Sequence, residues 1–415
     1  MHKVTDRPIR VLAVDDSSVM RGVLRRLFQM QEQKLSSDLP SMELCGVAED
    51  GVECLASVLR LRPDVIVLDL EMPRMHGLDV LERLRLDEPG LPVIMCSAYT
   101  ERGARATLDA LALGAADYVM KPGDQKDFAS SMETLANQLL PKIAALAGAG
   151  FETISGVREE TTRKEIEQSG RSSSEVQSGS SAITPKVEIV VIGISTGGPS
   201  ALEEMLPKLP ENFPVPVMIV QHMPKLFTGE LAERLDRYCA LRVREAYDGA
   251  EIRPGTIWIA PGDAHMEVAE AAKGVRRAVV RLHQQRALNN CKPSVDYLFS
   301  SAAAHYGAGT LALVMTGMGS DGLTGARHVH EAGGVVLTQN EATSAVWGMP
   351  GRVFQAGISR EPLPLGALAS ELTLRAGAKR TGHEQLDPSS TTTIPPLQSS
   401  NLVYAAHPEV NHGLL

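Results

Sequence analysis

Cysteine is scarce and unpaired. The five in 415 residues, Cys45, Cys54, Cys96, Cys239 and Cys291, form no C-x-x-C pair and no even framework. That pattern argues against a zinc ribbon or a disulfide scaffold and fits reduced thiols in a cytoplasmic protein. Aromatics are also few, at 4%. No segment approaches the roughly 18 uncharged residues of a membrane span. The opening MHKVTDRPIRVLAVDD reaches acidic residues before any apolar stretch of signal-peptide length. A basic balance is missing too: 41 Lys and Arg stand against 50 Asp and Glu, a formal charge of −9. Bulk electrostatic binding to nucleic acid or anionic lipid is therefore disfavoured. The expected partner is a protein or a small molecule, and the expected location is the cytoplasm.

What is present is a chain too long for one ordinary core, given a prior of about 150 residues per domain. Short β-rich apolar runs alternate with helix-period stretches, the signature of parallel sheets covered by helices. The alternation breaks twice. From about Gly148 to Thr184 the text is rich in Ser, Gly and mixed charge, with almost no large apolar residues, and reads as a flexible linker. Beyond Ala378 a Ser/Thr/Pro-rich stretch reads as a disordered tail. The expected organisation is two α/β domains, each a doubly wound parallel sheet, at 7–145 and 186–377, with a linker at 146–185 and a tail at 378–415.

In the first domain, strands are expected at Ile9 to Val14, Met42 to Ala48, Asp64 to Asp69, Pro92 to Ser97 and Asp117 to Lys121. Ligand sites of doubly wound sheets lie beyond the C-terminal strand ends, so the polar residues there matter most. Asp15 and Asp16 end the first strand and Asp69 ends the third. Three converging carboxylates suit Mg²⁺, which takes a few hard oxygen ligands and keeps water for a phosphate. Ser97 and Lys121, closing the fourth and fifth strands, supply a hydroxyl and an ammonium for phosphoryl oxygens. The competing reading, aspartates that merely cap the following helices, accounts for any one of these positions but poorly for all five.

The segments VDDSSVMR, RPDVIVLDLEMPRMHGLDVL, CSAYT and DYVMKP resemble, in order, the motifs of the receiver domain of two-component response regulators. That resemblance implies a flavodoxin-like fold with Asp69 as phosphoacceptor. It further implies Mg²⁺ held by Asp15, Asp16, Asp69 and the Glu71 backbone carbonyl, Lys121 paired with the phosphoryl group, Ser97 as the switch hydroxyl and Tyr118 as the coupled aromatic. One departure is the polar stretch QMQEQKLSSDLPS, from Gln29 to Ser41, expected as an insertion in the connection after the first helix.

The second domain opens with VEIVVIGI, a near-continuous apolar run typical of a buried parallel strand. Gly193-Ile194-Ser195-Thr196-Gly197 then fits G-x-S-x-G, where small neighbours let the backbone turn sharply and expose a serine hydroxyl. A dinucleotide-binding loop is the rival reading, but Ser195 stands where close approach of a pyrophosphate needs glycine. The next strand, VPVMIV, ends in Gln221-His222 rather than in a ribose-binding acid, so it offers a base to a serine nucleophile. A third strand, TLALVM, leads into TGMGSDG, whose Asp321 could orient an imidazole or equally cap the following helix. The glycines of that turn leave backbone N–H groups free to face an oxyanion. His328 and His330 are two apart on a helix and face different sides, which argues against a metal pair. His265 is placed on a loop within reach of substrate, and His283 and Cys291 are read as surface and structural residues.

Taken together, GISTGGPSAL, VQHMP, IAPGDAHMEV, CKPSVDYLF and MTGMGSDGLTGA resemble the catalytic-domain motifs of the chemotaxis response-regulator protein-glutamate methylesterase family, over both domains and in the right order. The resemblance implies a Rossmann-like catalytic domain. Its roles are Ser195 as nucleophile, His222 as general base and acid, Asp321 as orienting residue, and Met318 with Thr196 at the oxyanion. It also implies hydrolysis of methylated glutamates on the cytoplasmic domains of chemoreceptors and, in many members, deamidation of glutamines. No cofactor is expected for the esterase step. Phosphorylation by a chemotaxis histidine kinase would relieve inhibition by the receiver, and the chain would meet the membrane only through receptors. Two alternatives remain: a phosphorylation-gated binding module without chemistry, and a DNA-binding output domain. The acidic charge and the lack of a helix-turn-helix pattern weigh against the second.

Overall fold

The computed structural model describes residues 7–33, 39–122, 128–148, 186–272 and 277–377. The expected tail, and the expected linker beyond Gly148, lie outside the described residues. The first domain alternates strand and helix: β1 (Ile9–Val14), α1 (Ser18–Gln33), β2 (Met42–Ala48), α2 (Gly51–Leu61), β3 (Val65–Asp69), α3 (Gly77–Asp87), β4 (Val93–Ser97), α4 (Glu101–Ala112), β5 (Asp117–Met120) and α5 (Phe128–Gly148). Its sheet has the order β2-β1-β3-β4-β5, all parallel. Residues Val65 to Asp69 are buried throughout, as a strand covered by helices on both faces requires. The chain order reverses direction between β1 and β3, so Asp15 and Asp69 emerge at adjacent strand tips.

Two boundaries differ from the sequence reading. Helix α5 runs to Gly148, three residues past the expected domain edge, because Ile143 and Leu146 are buried in the same cluster as Leu24 and Phe28 of α1. The polar stretch from Gln29 begins as helix rather than as a connection, since α1 continues to Gln33. Residues 34–38 of that stretch lie outside the described residues.

In the second domain the elements are β6 (Ile189–Ile194), α6 (Gly198–Met205), β7 (Val217–Gln221), α7 (Lys225–Asp236), β8 (Arg242–Glu245), β9 (Thr256–Ile259), β10 (His265–Glu270), β11 (Ala278–His283), α8 (Val295–Tyr306), β12 (Thr310–Val314), α9 (Leu323–Glu331), β13 (Val335–Thr338), α10 (Met349–Gln355) and α11 (Leu365–Ala376). Six strands form a parallel sheet in the order β13-β12-β6-β7-β9-β8, and β10 with β11 makes a separate antiparallel pair. From β6 the chain winds outward through β7 and later returns to β12 on the other side. The tips of β6, β7 and β12 therefore border the switch point, where open α/β sheets bind ligands.

The two domains share an apolar core: one cluster takes in Ala104, Leu108 and Leu111 of α4 together with Ala201 of α6 and Phe227 and Leu231 of α7. Polar contacts surround it. Ser200 Oγ donates to the Leu111 carbonyl at 2.8 Å, Arg105 pairs with Glu230 at 2.8 Å, and Arg234 binds both Glu203 and Asp109. The exposed ion pairs contribute little individually; the apolar contact supplies most of the association.

Helix α8 underlies the central strands through Phe299, which is fully buried. Phe299→Ala should destabilise the catalytic domain by about 3–5 kcal/mol through lost burial and a cavity, read as a lower denaturant midpoint.

Candidate active site and phosphoacceptor site

Ser195 follows β6 directly. Its N–H donates to the Thr316 carbonyl at 3.0 Å, and its own carbonyl accepts from Gly198 N, closing a tight turn into α6. Gly197 adopts φ +75°, a left-handed conformation that costs glycine little. The turn is also crowded from the β12 side: a Cβ on Gly317 would stand 2.7 Å from Ser195 Cβ. Only glycine lets the two loops approach this closely.

His222 follows β7, with its N–H bonded to the Ile194 carbonyl at 3.1 Å, so it sits at the strand tip next to Ser195. Asp321 lies in the turn after β12, and its Oδ2 stands 2.8 Å from His222 Nε2. The Asp321 carboxylate does not cap its own helix; Gly322 occupies the N-cap of α9. It faces the N-terminus of α8 instead, accepting from Ser294 Oγ at 2.7 Å, Val295 N at 2.7 Å and Asp296 N at 3.3 Å. A buried carboxylate on a helix N-terminus is stabilised by the aligned N–H groups and dipole. Burial raises the Asp321 pKa, but His222 and these donors outweigh it and hold the carboxyl below its usual value. Burial likewise lowers His222, yet the bond to Asp321 and the nearby Cys291 raise it to about 9.

The structure thus joins His222 to Asp321 and sets Ser195 on the neighbouring tip, but the Ser195 side chain makes no hydrogen bond among the described residues. Catalytic hydrogen bonds are commonly open before substrate binds. Thr196 is buried, and its Oγ1 donates to Asp117 Oδ2 of the receiver at 2.7 Å. Met318 packs with Val346 against the cluster that includes α5 of the receiver.

Three sequence expectations need correction. His265 is not on a loop: it opens β10, fully buried, opposite His283 in the antiparallel ladder. His283 is not a surface residue either, since its ring stacks on His265 at 5.1 Å and meets Tyr297 at 4.8 Å. Cross-strand pairing forces the two rings together, and no single-strand periodicity discloses which strand lies opposite. Cys291, read as structural, lies with Sγ 3.7 Å from His222 Nδ1. Ser294 and Asp296 were missed as well; Asp296 accepts from Gly325 N and Asn289 Nδ2. Their signal was the quoted CKPSVDY stretch, which places them at the start of a helix. His328 bonds Ser300 through Nδ1 at 2.8 Å, a structural contact between α8 and α9.

In the receiver, Asp15, Asp16 and Asp69 offer ligand oxygens within 4.8 Å of one another. Hard carboxylate donors, two of them buried and one exposed, fit a divalent cation such as Mg²⁺. Lys121 Nζ lies 2.9 Å from Asp15 Oδ2 and 2.8 Å from Asp69 Oδ2. Burial raises the Asp69 pKa to about 6 against the opposing pull of Lys121. Burial lowers Lys121, but Asp69 and Asp15 outweigh it and raise its pKa. Ser97 Oγ donates to the Gly103 carbonyl at 3.2 Å. Glu71 follows two residues after Asp69, with its side chain 3.5 Å from Arg102. Tyr118 is buried and stacks on Phe227 of α7, with centroids 4.8 Å apart at 13°.

The His222 imidazole should titrate near pH 9 by NMR. Removing the Asp321 charge in Asp321→Asn favours the neutral ring and should lower that midpoint by about 1–3 pH units.

The family model "CheB methylesterase" matches residues 190–372, and "Response regulator receiver domain" matches residues 11–133. The Trichodesmium erythraeum protein-glutamate methylesterase/protein-glutamine glutaminase is 42% identical over 368 residues, 89% of this chain and 99% of the relative. Its Nocardioides counterpart is 44% identical over 374 residues, covering 90% and 96%. A crystal structure of the Thermotoga maritima CheB methylesterase catalytic domain is 42% identical, covers 45% of this chain and 98% of that one, and gives a TM-score of 0.43. With both domains matched in order and the relatives covered almost end to end, the chain belongs to the protein-glutamate methylesterase/protein-glutamine glutaminase family, with a response-regulator receiver ahead of its catalytic domain.

Proposed function

We propose that this chain is a phosphorylation-activated hydrolase that removes methyl groups from glutamate 5-O-methyl esters on the cytoplasmic domains of chemoreceptors, and that it deamidates selected receptor glutamines. The observation that carries the reading is the 2.8 Å Asp321–His222 pair at the strand tips beside Ser195. Ser195 Oγ attacks the ester carbonyl while its proton passes to His222. The imidazolium, held by Asp321, then gives that proton to the departing methoxide, which leaves as methanol. Water, deprotonated by the same ring, cleaves the acyl-enzyme and restores Ser195. A glutamine presents the same carbonyl with ammonia as leaving group. The Met318 and Thr196 backbone N–H groups serve the oxyanion, a role whose loss typically costs about 10²–10³ in kcat.

Regulation in this reading runs through the receiver. A chemotaxis histidine kinase phosphorylates Asp69, and Ser97 and Lys121 bind the phosphoryl oxygens. Asp15, Asp16, Asp69 and the Glu71 backbone carbonyl would hold Mg²⁺, which when bound offsets the charge of the phosphoryl group. Inhibition before phosphorylation is supported by the Thr196–Asp117 bond and the Tyr118–Phe227 stack. These contacts tie the residue next to the nucleophile and the face of α7 to β5. New charge at the strand ends biases a two-state equilibrium away from that contact.

Ser195→Ala should lower methanol release from methylated receptor membranes by at least about 10³-fold, and a fluorophosphonate should label the wild type but not this variant. Unchanged methanol release would reject the assignment. Acetyl phosphate with Mg²⁺ should raise the rate, and Asp69→Asn should abolish the rise. An aromatic pair is worth about 0.5–1.5 kcal/mol beyond its burial. Phe227→Leu, which keeps an apolar side chain there and removes the ring, should therefore raise unphosphorylated activity by about 2- to 10-fold and shrink the acetyl phosphate effect in proportion.

A further inference from the structure

Four of the five cysteines are disposed to be inert. Cys54 and Cys96 are buried; burial pushes the Cys54 thiol up to about 12 and the Cys96 thiol higher. Burial also raises Cys239 to about 11 and raises Cys45. The thiolate is the reactive form, so each of these is held in the unreactive one.

Cys291 stands apart. It is partly exposed and occupies the segment between β11 and α8. Residues 288 to 291 form a tight turn: Leu288 and Cys291 exchange backbone hydrogen bonds, and Asn289 and Asn290 both take positive φ. Asn289 Nδ2 anchors the turn on Asp296 Oδ2 at 3.0 Å. The turn aims Cys291 Sγ at His222 Nδ1, 3.7 Å away, while Asp321 holds Nε2 of the same ring. Carboxylate, imidazole and thiol thus stand in line, the arrangement that activates cysteine nucleophiles. Asp321 favours the charged form of the ring that the sulfur faces.

We propose that Cys291 is a peroxide-sensitive modification site whose oxidation reversibly shuts the esterase. The thiol proton passes to His222 Nδ1, and the sulfur lone pair attacks one oxygen of a hydroperoxide. The O–O bond breaks, and the departing oxygen takes the proton from His222 and leaves as water or an alcohol. Sulfur is oxidised by two electrons to sulfenic acid and the peroxide is reduced by two. Two equivalents of a small thiol reverse the change, forming a disulfide between them and water. The added oxygen lies against the nitrogen left to Ser195 once Asp321 holds Nε2, so oxidation removes the base. This rests on His222 being the base of the proposed esterase; the chemistry at sulfur does not.

The test treats the full-length chain with hydrogen peroxide in chelator-containing buffer and divides it: in one portion dimedone traps sulfenic acid and the tag is mapped by mass spectrometry, and in the other, without dimedone, methanol release is followed with and without dithiothreitol. Wild type should lose at least about tenfold of its activity, recover it with dithiothreitol, and carry the tag on Cys291. Cys291→Ser and Cys291→Ala, each normalised to its own untreated rate, should be inactivated at least about tenfold more slowly. Ser195→Ala should still tag at the wild-type rate, whereas His222→Ala should tag at least about tenfold more slowly. Tagging confined to other cysteines, equal sensitivity in the Cys291 variants, equal tagging in His222→Ala, or a tagged enzyme that keeps its activity would each overturn the proposal. A Ser195→Ala chain that still releases methanol while its Cys291 tags normally would instead reject the serine mechanism.

Discussion

The catalytic domain depends on compensating one buried negative charge. Asp321 is 2% exposed, and an unpaired carboxylate at that depth would be strongly unfavourable. Its compensation comes from the His222 imidazole, the Ser294 hydroxyl and two backbone N–H groups at the start of α8. These donors belong to the β7 tip and the α8 N-terminus, while the carboxylate belongs to the β12 turn. Three separate elements are therefore fixed around a single group, and the orientation and basicity of His222 follow from it. The nearby thiol of Cys291 inherits the same geometry through the ring's other nitrogen.

The receiver applies the same electrostatics with the sign of the central group reversed. Lys121 sits between Asp15 and Asp69 and neutralises part of a carboxylate cluster that would otherwise repel itself. On the short strand that Lys121 follows, Asp117 is divided between Lys142 at 2.8 Å and Thr196 of the other domain. Strand β5 thus carries the residues that meet the catalytic domain, and Lys121, the next residue in the chain, meets the carboxylate cluster. A four-residue edge strand paired with β4 on one side and packed against the catalytic domain leaves little room for one end to change without the other.

Much of this was legible in the text of the chain. The strands of the receiver are displaced by at most a residue from their expected bounds, because apolar runs between helix-period stretches have few other ways to be buried. Asp15, Asp69, Lys121, Ser195, His222 and Asp321 all stand at strand ends, which is where a parallel α/β sheet must place its chemistry. Less was legible wherever the partner comes from a distant part of the chain. His265 and His283 are eighteen residues apart in sequence, and only the hairpin register brings their rings together. Thr196 was expected at the oxyanion through its backbone, and nothing local indicates that its hydroxyl bonds a receiver aspartate. Helix α5 ended later than its composition suggested, since contacts with α1 decide where it stops.

The sequence alone determined the two-domain α/β class, the presence of a carboxylate cluster in the receiver and the placing of Ser195, His222 and Asp321 in the segments that follow three strands of the second sheet, because hydrophobic period and glycine turns are local properties. Tertiary structure decided which nitrogen of His222 faces Asp321, that Asp321 serves the N-terminus of α8 rather than its own helix, and that Cys291 rather than Ser195 approaches the remaining nitrogen. It also decided that Tyr118 rests on Phe227. Each of these is a contact between segments far apart in the chain, set by how the sheets twist and the helices dock, and a linear pattern carries no distance across that gap.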